Sequence, residues 1–221
     1  QENFVICVFI AYSPKGIIHF LGGAFVATAP HVTYRCLLEI LANQGYGVIA
    51  TPFVNTLDHL EMAENVLSSF ENCLNHLYNS RILRKKSLPI YGIGHSMGCK
   101  LHLLIGSLFP IARAGNILIS FNNFAARDAI PLVEQISSVV KVEFTPSPKI
   151  TNSLIQKRYQ IRRNLLIKFN DDNIDQTLRL SDLLRLRFPS MITVQRLNGN
   201  HLTPLGQDLS WPVGQVYTPC L

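Results

Sequence analysis

Residues 88–109 read LPIYGIGHSMGCKLHLLIGSLF, in which the segment Gly94-His95-Ser96-Met97-Gly98 separates two apolar runs. The first run has the length of a buried strand, and the second has the length of a buried helix. A serine between glycines at a strand-to-helix junction is typical of a sharp turn that strains the serine backbone and exposes its hydroxyl. Both flanking positions require glycine, because a larger side chain there would collide with the adjoining strand and helix. The segment therefore predicts an exposed nucleophile, Ser96, and the alternative is a glycine-rich connection without chemistry.

Short apolar runs alternate with helical patterns along the rest of the chain, as expected for a parallel sheet with helices on both faces. The runs predict a mostly parallel sheet of six strands, at residues 16–21, 47–51, 88–93, 116–121, 164–169 and 191–196. One helical pattern lies between Pro30 and Gly45, and the next is expected to begin at Thr56 or Asp58. A length of 221 residues, of which 48% are hydrophobic, fits a single domain over residues 1–221.

Residues 122–163 form a long interval between two expected strands. The interval contains a helical pattern at residues 127–138 and a proline-bearing stretch at residues 144–149. An interval of this length after a strand is either a small cap near a site or an extra helix on the sheet. We expect a cap-like insertion, and the extra helix is the alternative.

A serine hydroxyl needs a general base, and His201 is the histidine best placed to supply it. It follows the last expected strand, in the loop at residues 197–202, which reads LNGNHL. The other histidines fall on expected helices, in the first strand or beside Ser96. His201 is therefore the candidate base.

The imidazole has to be held in one tautomer by a carboxylate, which is expected just after the preceding strand. Three aspartates stand there, Asp171, Asp172 and Asp175. If that strand ends at Phe169, Asp172 occupies the turn position of the acid. Asp172 is therefore favoured, with Asp175 second and Asp171 third, and the remaining two are expected to close turns or cap a helix.

An oxyanion needs backbone N–H donors, and two segments are suited to supply them. One donor is the N–H of Met97, at the start of the helix after Ser96. The other is the N–H of Gly23 or Ala24, since Gly22 and Gly23 let the loop bend towards the site. No Gly-Lys-Ser/Thr or GxGxxG pattern accompanies these glycines, so a phosphate-binding loop is not favoured.

These features together predict an α/β-hydrolase fold, in which nucleophile, acid and base follow in this order along the chain. The expected reaction is hydrolysis of a carboxylic ester or thioester through an acyl-enzyme on Ser96, with no cofactor and no metal ion. The apolar composition of residues 122–153 favours a hydrophobic acyl substrate. Two alternatives stay open: a non-catalytic binding or scaffold protein, and an acyltransferase. Cys99 is a weaker nucleophile candidate, expected to be buried and inert.

The net charge of +6 and the isoelectric point near 9.2 raise the question of an anionic partner. However, the basic clusters at residues 81–86, 157–163 and 179–187 are interrupted by leucine or isoleucine at helical spacing, and no aromatic side chains alternate with them. We interpret them as solvated helix faces and expect no nucleic-acid binding. The longest apolar run, residues 4–12, is too short for a transmembrane segment of about 20 residues. At most, peripheral contact with a membrane is expected.

The cysteines are odd in number, widely spaced and without a CxxC pair: Cys7, Cys36, Cys73, Cys99 and Cys220. This distribution argues against a disulfide framework and against a zinc site. It favours a reducing intracellular compartment.

Five segments in order resemble those of one known family: HFLGGAF at residues 19–25, TYR at 33–35, GHSMGCK at 94–100, NDDNIDQ at 170–176 and GNHLTP at 199–204. Over residues 16–217 the chain resembles an uncharacterised α/β-hydrolase family of cyanobacteria and chloroplasts, a domain of unknown function whose plant members carry esterase-like names. The resemblance implies a chloroplast setting and a serine hydrolase. It implies Ser96, an aspartate among residues 171–175, and His201 as the matching positions.

Two departures from the ordinary α/β-hydrolase pattern accompany this resemblance. The ordinary fold has two more strands before the first one predicted here, and residues 1–12 supply one at most. The chain also ends 20 residues after His201, where a closing helix would normally support the histidine loop. We therefore expect a form of the fold that is shortened at both ends, with a less firmly held His201.

Overall fold

The computed structural model describes residues 6–10, 13–84, 87–126 and 143–206. Within these ranges seven strands form one sheet: β1 (Cys7–Ile10), β2 (Ile17–Leu21), β3 (Gly47–Ala50), β4 (Ile90–His95), β5 (Gly115–Ile119), β6 (Asn164–Phe169) and β7 (Ile192–Leu197). Their order across the sheet is β1-β3-β2-β4-β5-β6-β7. Strands β2 to β7 pair in parallel, and β1 pairs antiparallel with β3.

The predicted mostly parallel sheet is confirmed, with seven described strands instead of six. The additional strand is β1. Its four residues pair with the four residues of β3, and it is the first strand in the order across the sheet, so it forms one edge. Across the centre of the sheet the registers align the carboxyl ends of the strands. Leu21 is paired with Gly94, His95 with Ile119, and Phe169 with Leu197. The loops that follow β2, β4, β5, β6 and β7 therefore meet at one edge of the sheet.

Helices cover both faces of the sheet, as predicted. The described helices are α1 (Pro30–Thr33), α2 (Arg35–Asn43), α3 (His59–Asn79), α4 (Met97–Leu108), α5 (Pro148–Arg158) and α6 (Thr177–Arg185), with a 3-10 helix at Thr203–Leu205. Successive residues of a strand point to opposite faces. Accordingly, Ile17 packs against Phe70 of α3, whereas Ile18 packs in a cluster with Leu38 of α2.

The helix starts follow local hydrogen-bonding rules. Asp58 caps α3, because its Oδ1 atom accepts hydrogen bonds from the N–H groups of Leu60 and Glu61, each at 3.0 Å. Asp58 was one of two residues expected in this role. The pattern predicted between Pro30 and Gly45 forms two helices, α1 and α2, which are separated at the fully buried Tyr34.

The interval at residues 122–163 is described only in part, and the helical pattern at residues 127–138 lies outside the described residues. The proline-bearing stretch leads into α5, in which Pro148 occupies the first turn and Ser147 is the N-cap. Ile155 and Tyr159 pack with Leu103 of α4, so α5 is a helix that covers the sheet. A cap formed by the earlier part of the interval, before α5, stays a prediction.

No described helix is long and apolar enough to span a membrane. The basic cluster around α6 is amphipathic as predicted, since Leu180 and Leu184 are buried while Arg179 and Arg185 are exposed.

The described cysteines differ in their bonding. Cys73 and Cys99 are thiols outside any disulfide, whereas Cys36 is disulfide-bonded. The expectation that the cysteines lie outside disulfides is therefore wrong for Cys36. It failed because distances along the chain do not reveal which cysteines meet in space.

Candidate active site

Ser96 lies in the turn between β4 and α4, with φ +54° and ψ −114°. Non-glycine residues rarely adopt positive φ, and such strain persists only where the surrounding structure enforces it. Here the Ser96 N–H donates to the carbonyl of Ile119 at 2.9 Å, and the Ser96 carbonyl accepts from the Cys99 N–H at 3.0 Å. The two bonds clamp the turn between β5 and the first turn of α4. They leave the half-buried Ser96 side chain free to project from the turn.

His201 and Asp172 are brought together by the loops that follow β7 and β6. The Nδ1–H of His201 donates to Oδ2 of Asp172 at 2.8 Å, and the Asp172 side chain is fully buried. The second carboxylate oxygen of Asp172 accepts the N–H of Ile174 at 3.2 Å. This arrangement fixes the tautomer of neutral His201, leaving its Nε2 atom as a hydrogen-bond acceptor.

The other two aspartates of the cluster have different surroundings. Asp175 binds the ammonium of Lys168 at 3.1 Å and the hydroxyl of Thr177 at 2.7 Å. It also accepts the Thr177 N–H at 2.9 Å, at the start of α6. Asp171 is exposed. Of the three aspartates, Asp172 is therefore the one that contacts His201.

The Ser96 hydroxyl does not form a hydrogen bond with His201 among the described residues. Its Oγ atom instead accepts a hydrogen bond from Nδ2 of Asn122 at 3.1 Å. Bonds between a nucleophile and its base are often long without substrate and shorten when the substrate is bound. Within the described ranges no hydrogen bond engages Nε2 of His201, and this atom and the hydroxyl proton of Ser96 are the two groups that would have to meet.

Asn122 was missed by the sequence argument. It stands three residues after β5, whose carboxyl end lies beside that of β4. Its neighbour Asn123 is buried and bonded to Pro148 and Asn152 of α5, which anchors the segment. The sequence held one signal for this role: a polar side chain that follows β5, the strand adjacent to the strand that ends at the Ser96 turn.

We expect Asn122→Ala to slow covalent modification of Ser96 about 3- to 10-fold, because the donated bond stabilises negative charge that develops on Oγ. Asn122→Asp should slow it about 100-fold, since a carboxylate there repels that charge. The measurement is the second-order rate constant with a fluorophosphonate. Asn75→Ala, which alters an exposed asparagine on α3, serves as the control. An unchanged rate for Asn122→Ala would contradict the assignment.

The expected oxyanion donors are not equivalent in the structure. Met97 is the first residue of α4, so its N–H has no intrahelical partner. Gly22 accepts, through its carbonyl, the N–H of Gly98 at 3.0 Å, which ties the loop after β2 to the first turn of α4, and its part in the oxyanion loop stays a prediction. The N–H of Gly23 is engaged by the Tyr34 hydroxyl at 2.7 Å. Within the described part of the chain the Ala24 N–H makes no hydrogen bond, so Met97 and Ala24 carry the available donors.

Cys99 has the surroundings of a structural cysteine, as predicted. It is fully buried, and its thiol donates to the carbonyls of Gly94 and Ile119, each at 3.1 Å. Burial raises the pKa of this thiol far above its ordinary value. It therefore has no thiolate available for nucleophilic attack.

Within the described ranges, neither a cluster of metal-ligand residues nor the cavity beside α3 includes Ser96. No group of three His, Cys, Asp or Glu residues in the described ranges is placed to hold a metal ion. A cavity of about 410 Å³ lies between residues 51–56 and α3, and none of Ser96, Asp172 and His201 lines it.

One known protein family matches almost the whole chain. Residues 2–221 match the family described as "Protein of unknown function (DUF1350)". The chain belongs to the DUF1350 family. No curated protein matches this DUF1350 chain in sequence.

Solved structures resemble this DUF1350 protein in fold. The monoacylglycerol lipase of Paleococcus ferrophilus matches with a TM-score of 0.62 at 14% identity, over 90% of this chain and 91% of the lipase. FphF, a fluorophosphonate-binding serine hydrolase of Staphylococcus aureus, matches with a TM-score of 0.61 at 15% identity, over 90% and 86% of the two chains. Est2, an esterase of Thermogutta terrifontis, matches with a TM-score of 0.61 at 11% identity, over 89% and 79%. The fold is α/β-hydrolase-like, as predicted.

Proposed function

We propose that this DUF1350 protein is a serine hydrolase that cleaves a carboxylic ester or thioester through an acyl-enzyme on Ser96. The observation that carries the proposal is the 2.8 Å bond between His201 and the buried Asp172, at the sheet edge that also carries the strained Ser96. A buried carboxylate that orients a histidine near a strained serine is the arrangement that activates a serine hydroxyl. The fold shared with esterases and lipases supports the proposal further.

In the proposed acylation, Nε2 of His201 takes the hydroxyl proton as Ser96 Oγ attacks the carbonyl carbon of the substrate. Asp172 stabilises the imidazolium that forms. The N–H groups of Met97 and Ala24 donate to the oxyanion of the tetrahedral intermediate. The intermediate collapses with cleavage of the ester or thioester bond, and the leaving alcohol or thiol receives the proton from His201.

In the proposed deacylation, a water molecule replaces the leaving group. His201 takes a proton from the water as its oxygen attacks the acyl carbon of the enzyme ester. The second tetrahedral intermediate uses the same two N–H donors. Its collapse breaks the bond to Ser96 Oγ, which recovers its proton from His201, and the carboxylic acid leaves.

A hydrophobic acyl group is the proposed substrate class. Large apolar side chains are exposed on loops at the carboxyl edge of the sheet, where Ser96 lies. They are Phe25, Val54, Leu57, Ile174 and Leu202, and Phe25 is 83% exposed. These five are part of the exposed apolar surface of the protein, and their position on the loops around Ser96 favours contact with an apolar substrate or with a lipid surface. The chloroplast setting implied by the resemblance is retained as a prediction.

A fluorophosphonate probe tests the proposal directly, because it forms a stable bond with a serine only where a base activates the hydroxyl. We expect the folded protein to be labelled and the modified peptide to contain Ser96, as determined by mass spectrometry. Heat-denatured protein should not react, and Cys99→Ala should be labelled like the wild type. Absence of labelling in the folded protein would contradict the proposal and favour a binding or scaffold role.

A further inference from the structure

A chain of three short hydrogen bonds connects the loop after β2 with the main chain of His201. The N–H of Gly23 lies 2.7 Å from the Tyr34 hydroxyl oxygen, and that oxygen lies 2.7 Å from Nδ1 of His95. The Nε2 atom of His95 lies 2.8 Å from the carbonyl oxygen of His201. Tyr34 and His95 are buried, with 0% and 2% of their surface exposed. The chain is therefore a buried link between the loop after β2 and the loop after β7.

The donors and acceptors in this chain follow from the groups at its two ends. The His201 carbonyl only accepts, so Nε2 of His95 carries a proton and donates it. Neutral imidazole has a single N–H, and Nδ1 of His95 therefore accepts from the Tyr34 hydroxyl. The hydroxyl oxygen in turn accepts the N–H of Gly23. The donor and the acceptor of each of the three bonds are thus assigned.

The neutral form of His95 is favoured by its environment. Burial, and next the nearby His201, lower the pKa of His95 to about 4. Burial also raises the pKa of the Tyr34 hydroxyl. The pKa of His95, about 4, lies below pH 5, and the raised pKa of Tyr34 lies above pH 8. Neither group therefore changes charge between pH 5 and pH 8. The hydrogen-bond chain therefore keeps its polarity at the pH of an enzyme assay.

His201 is consequently held at two points by different parts of the sheet. Asp172, after β6, binds the ring, while His95, the last residue of β4, binds the main chain. The rings of His95 and His201 are also in contact, with their centres 4.9 Å apart. Much of the surrounding loop is exposed, including Leu202 and Thr203. The bond from His95 to the His201 carbonyl ties this exposed loop directly to a buried strand of the sheet.

We propose that His95 is a positioning residue, which holds the main chain of His201 so that the His201 ring is directed towards Ser96, while Tyr34 selects the required tautomer of His95. This inference rests on the proposed hydrolase function. A displacement of about 1 Å in a reacting group can slow catalysis by about 100-fold, so a single main-chain bond is enough to matter. The Gly23 N–H is used in the same chain, which assigns the oxyanion contact to Ala24.

The test compares two uncharged amides at position 95. The side-chain amide of glutamine reaches approximately to the position of histidine Nε2, whereas that of asparagine reaches only to the position of Nδ1. His95→Asn therefore keeps a contact with Tyr34 and loses the bond to His201. We expect His95→Asn to lower kcat for a p-nitrophenyl ester about 10- to 100-fold, with KM changed less than about 2-fold. His95→Gln should recover most of that loss.

Tyr34→Phe keeps the aromatic ring and removes the hydroxyl. His95 is then free to take the other tautomer, which directs a lone pair at the His201 carbonyl. We expect kcat to fall about 3- to 10-fold. An unchanged kcat in Tyr34→Phe would overturn the role of Tyr34 in selecting the tautomer.

The outcomes separate this inference from the function on which it rests. If the wild type is labelled at Ser96 and His95→Asn has the wild-type kcat, the positioning role is overturned and the hydrolase proposal stands. Equal losses in His95→Asn and His95→Gln would also overturn it. If the wild type is not labelled, the hydrolase proposal itself fails. Thermal unfolding of each variant identifies any loss that arises from unfolding. If both variants at position 95 unfold, an unchanged kcat in a folded Tyr34→Phe would overturn the positioning role as well, because that variant no longer fixes the Nε2–H of His95 towards His201.

Discussion

Replacing Ser96 by alanine is expected to lower the rate of ester hydrolysis by about 10³- to 10⁶-fold, which removes all acylation by the protein. Alanine keeps the small side chain of the turn but has no oxygen to attack the substrate. Residual hydrolysis would come from the Met97 and Ala24 N–H groups acting on bound substrate and water. Short-chain and medium-chain p-nitrophenyl esters provide the measurement.

His201→Ala is expected to cause a loss of the same order, because nucleophile and base act as one unit. The double variant Ser96→Ala/His201→Ala should therefore be little slower than either single variant. His31→Ala, at an exposed histidine on α1, is the matched control and should hydrolyse the esters at the wild-type rate. Unchanged hydrolysis in Ser96→Ala, or losses in the two single variants that multiply, would contradict the proposed mechanism.

Gly98→Ala is expected to destabilise the fold by more than about 4 kcal/mol, enough to unfold many small domains. Gly98 lies where the first turn of α4 passes the end of β2. A methyl group on Gly98 would overlap the backbone carbonyl of Leu21 and lie 2.8 Å from the carbonyl oxygen of Gly22. Both obstacles are backbone atoms, so no side-chain rotation relieves the collision. Urea unfolding followed by circular dichroism measures the loss.

Gly45→Ala separates this collision from ordinary backbone strain. Gly45 has φ +87°, and a methyl group there would meet nothing closer than the Lys15 side chain at 3.9 Å. The expected loss is about 1 to 2 kcal/mol, the strain of a left-handed conformation in an L-residue. Similar unfolding free energies for the two variants would show that the close approach at Gly98 is not the cause of its stability effect.

Local sequence patterns determined most of the sheet and the candidates for chemistry. Six of the seven described strands lie within two residues of the predicted runs, because the burial of short apolar runs is a local property. The glycine-flanked turn at Ser96 was also local, since strand, serine and helix are contiguous. Asp172 could be favoured over its neighbours because the end of β6 at Phe169 was predictable, and the turn position follows from it.

Only the tertiary structure decided what each of these residues contacts. It brings Asn122 to the hydroxyl of Ser96, places α5 on the sheet and engages the Gly23 N–H with Tyr34. It also gives His95 a partner, His201, at a separation of 106 residues along the chain. Such bonds form where loops from different strands meet at one edge of the sheet. The register of the strands and the path of the loops determine those meetings, and neither is encoded in the periodicity of a single segment.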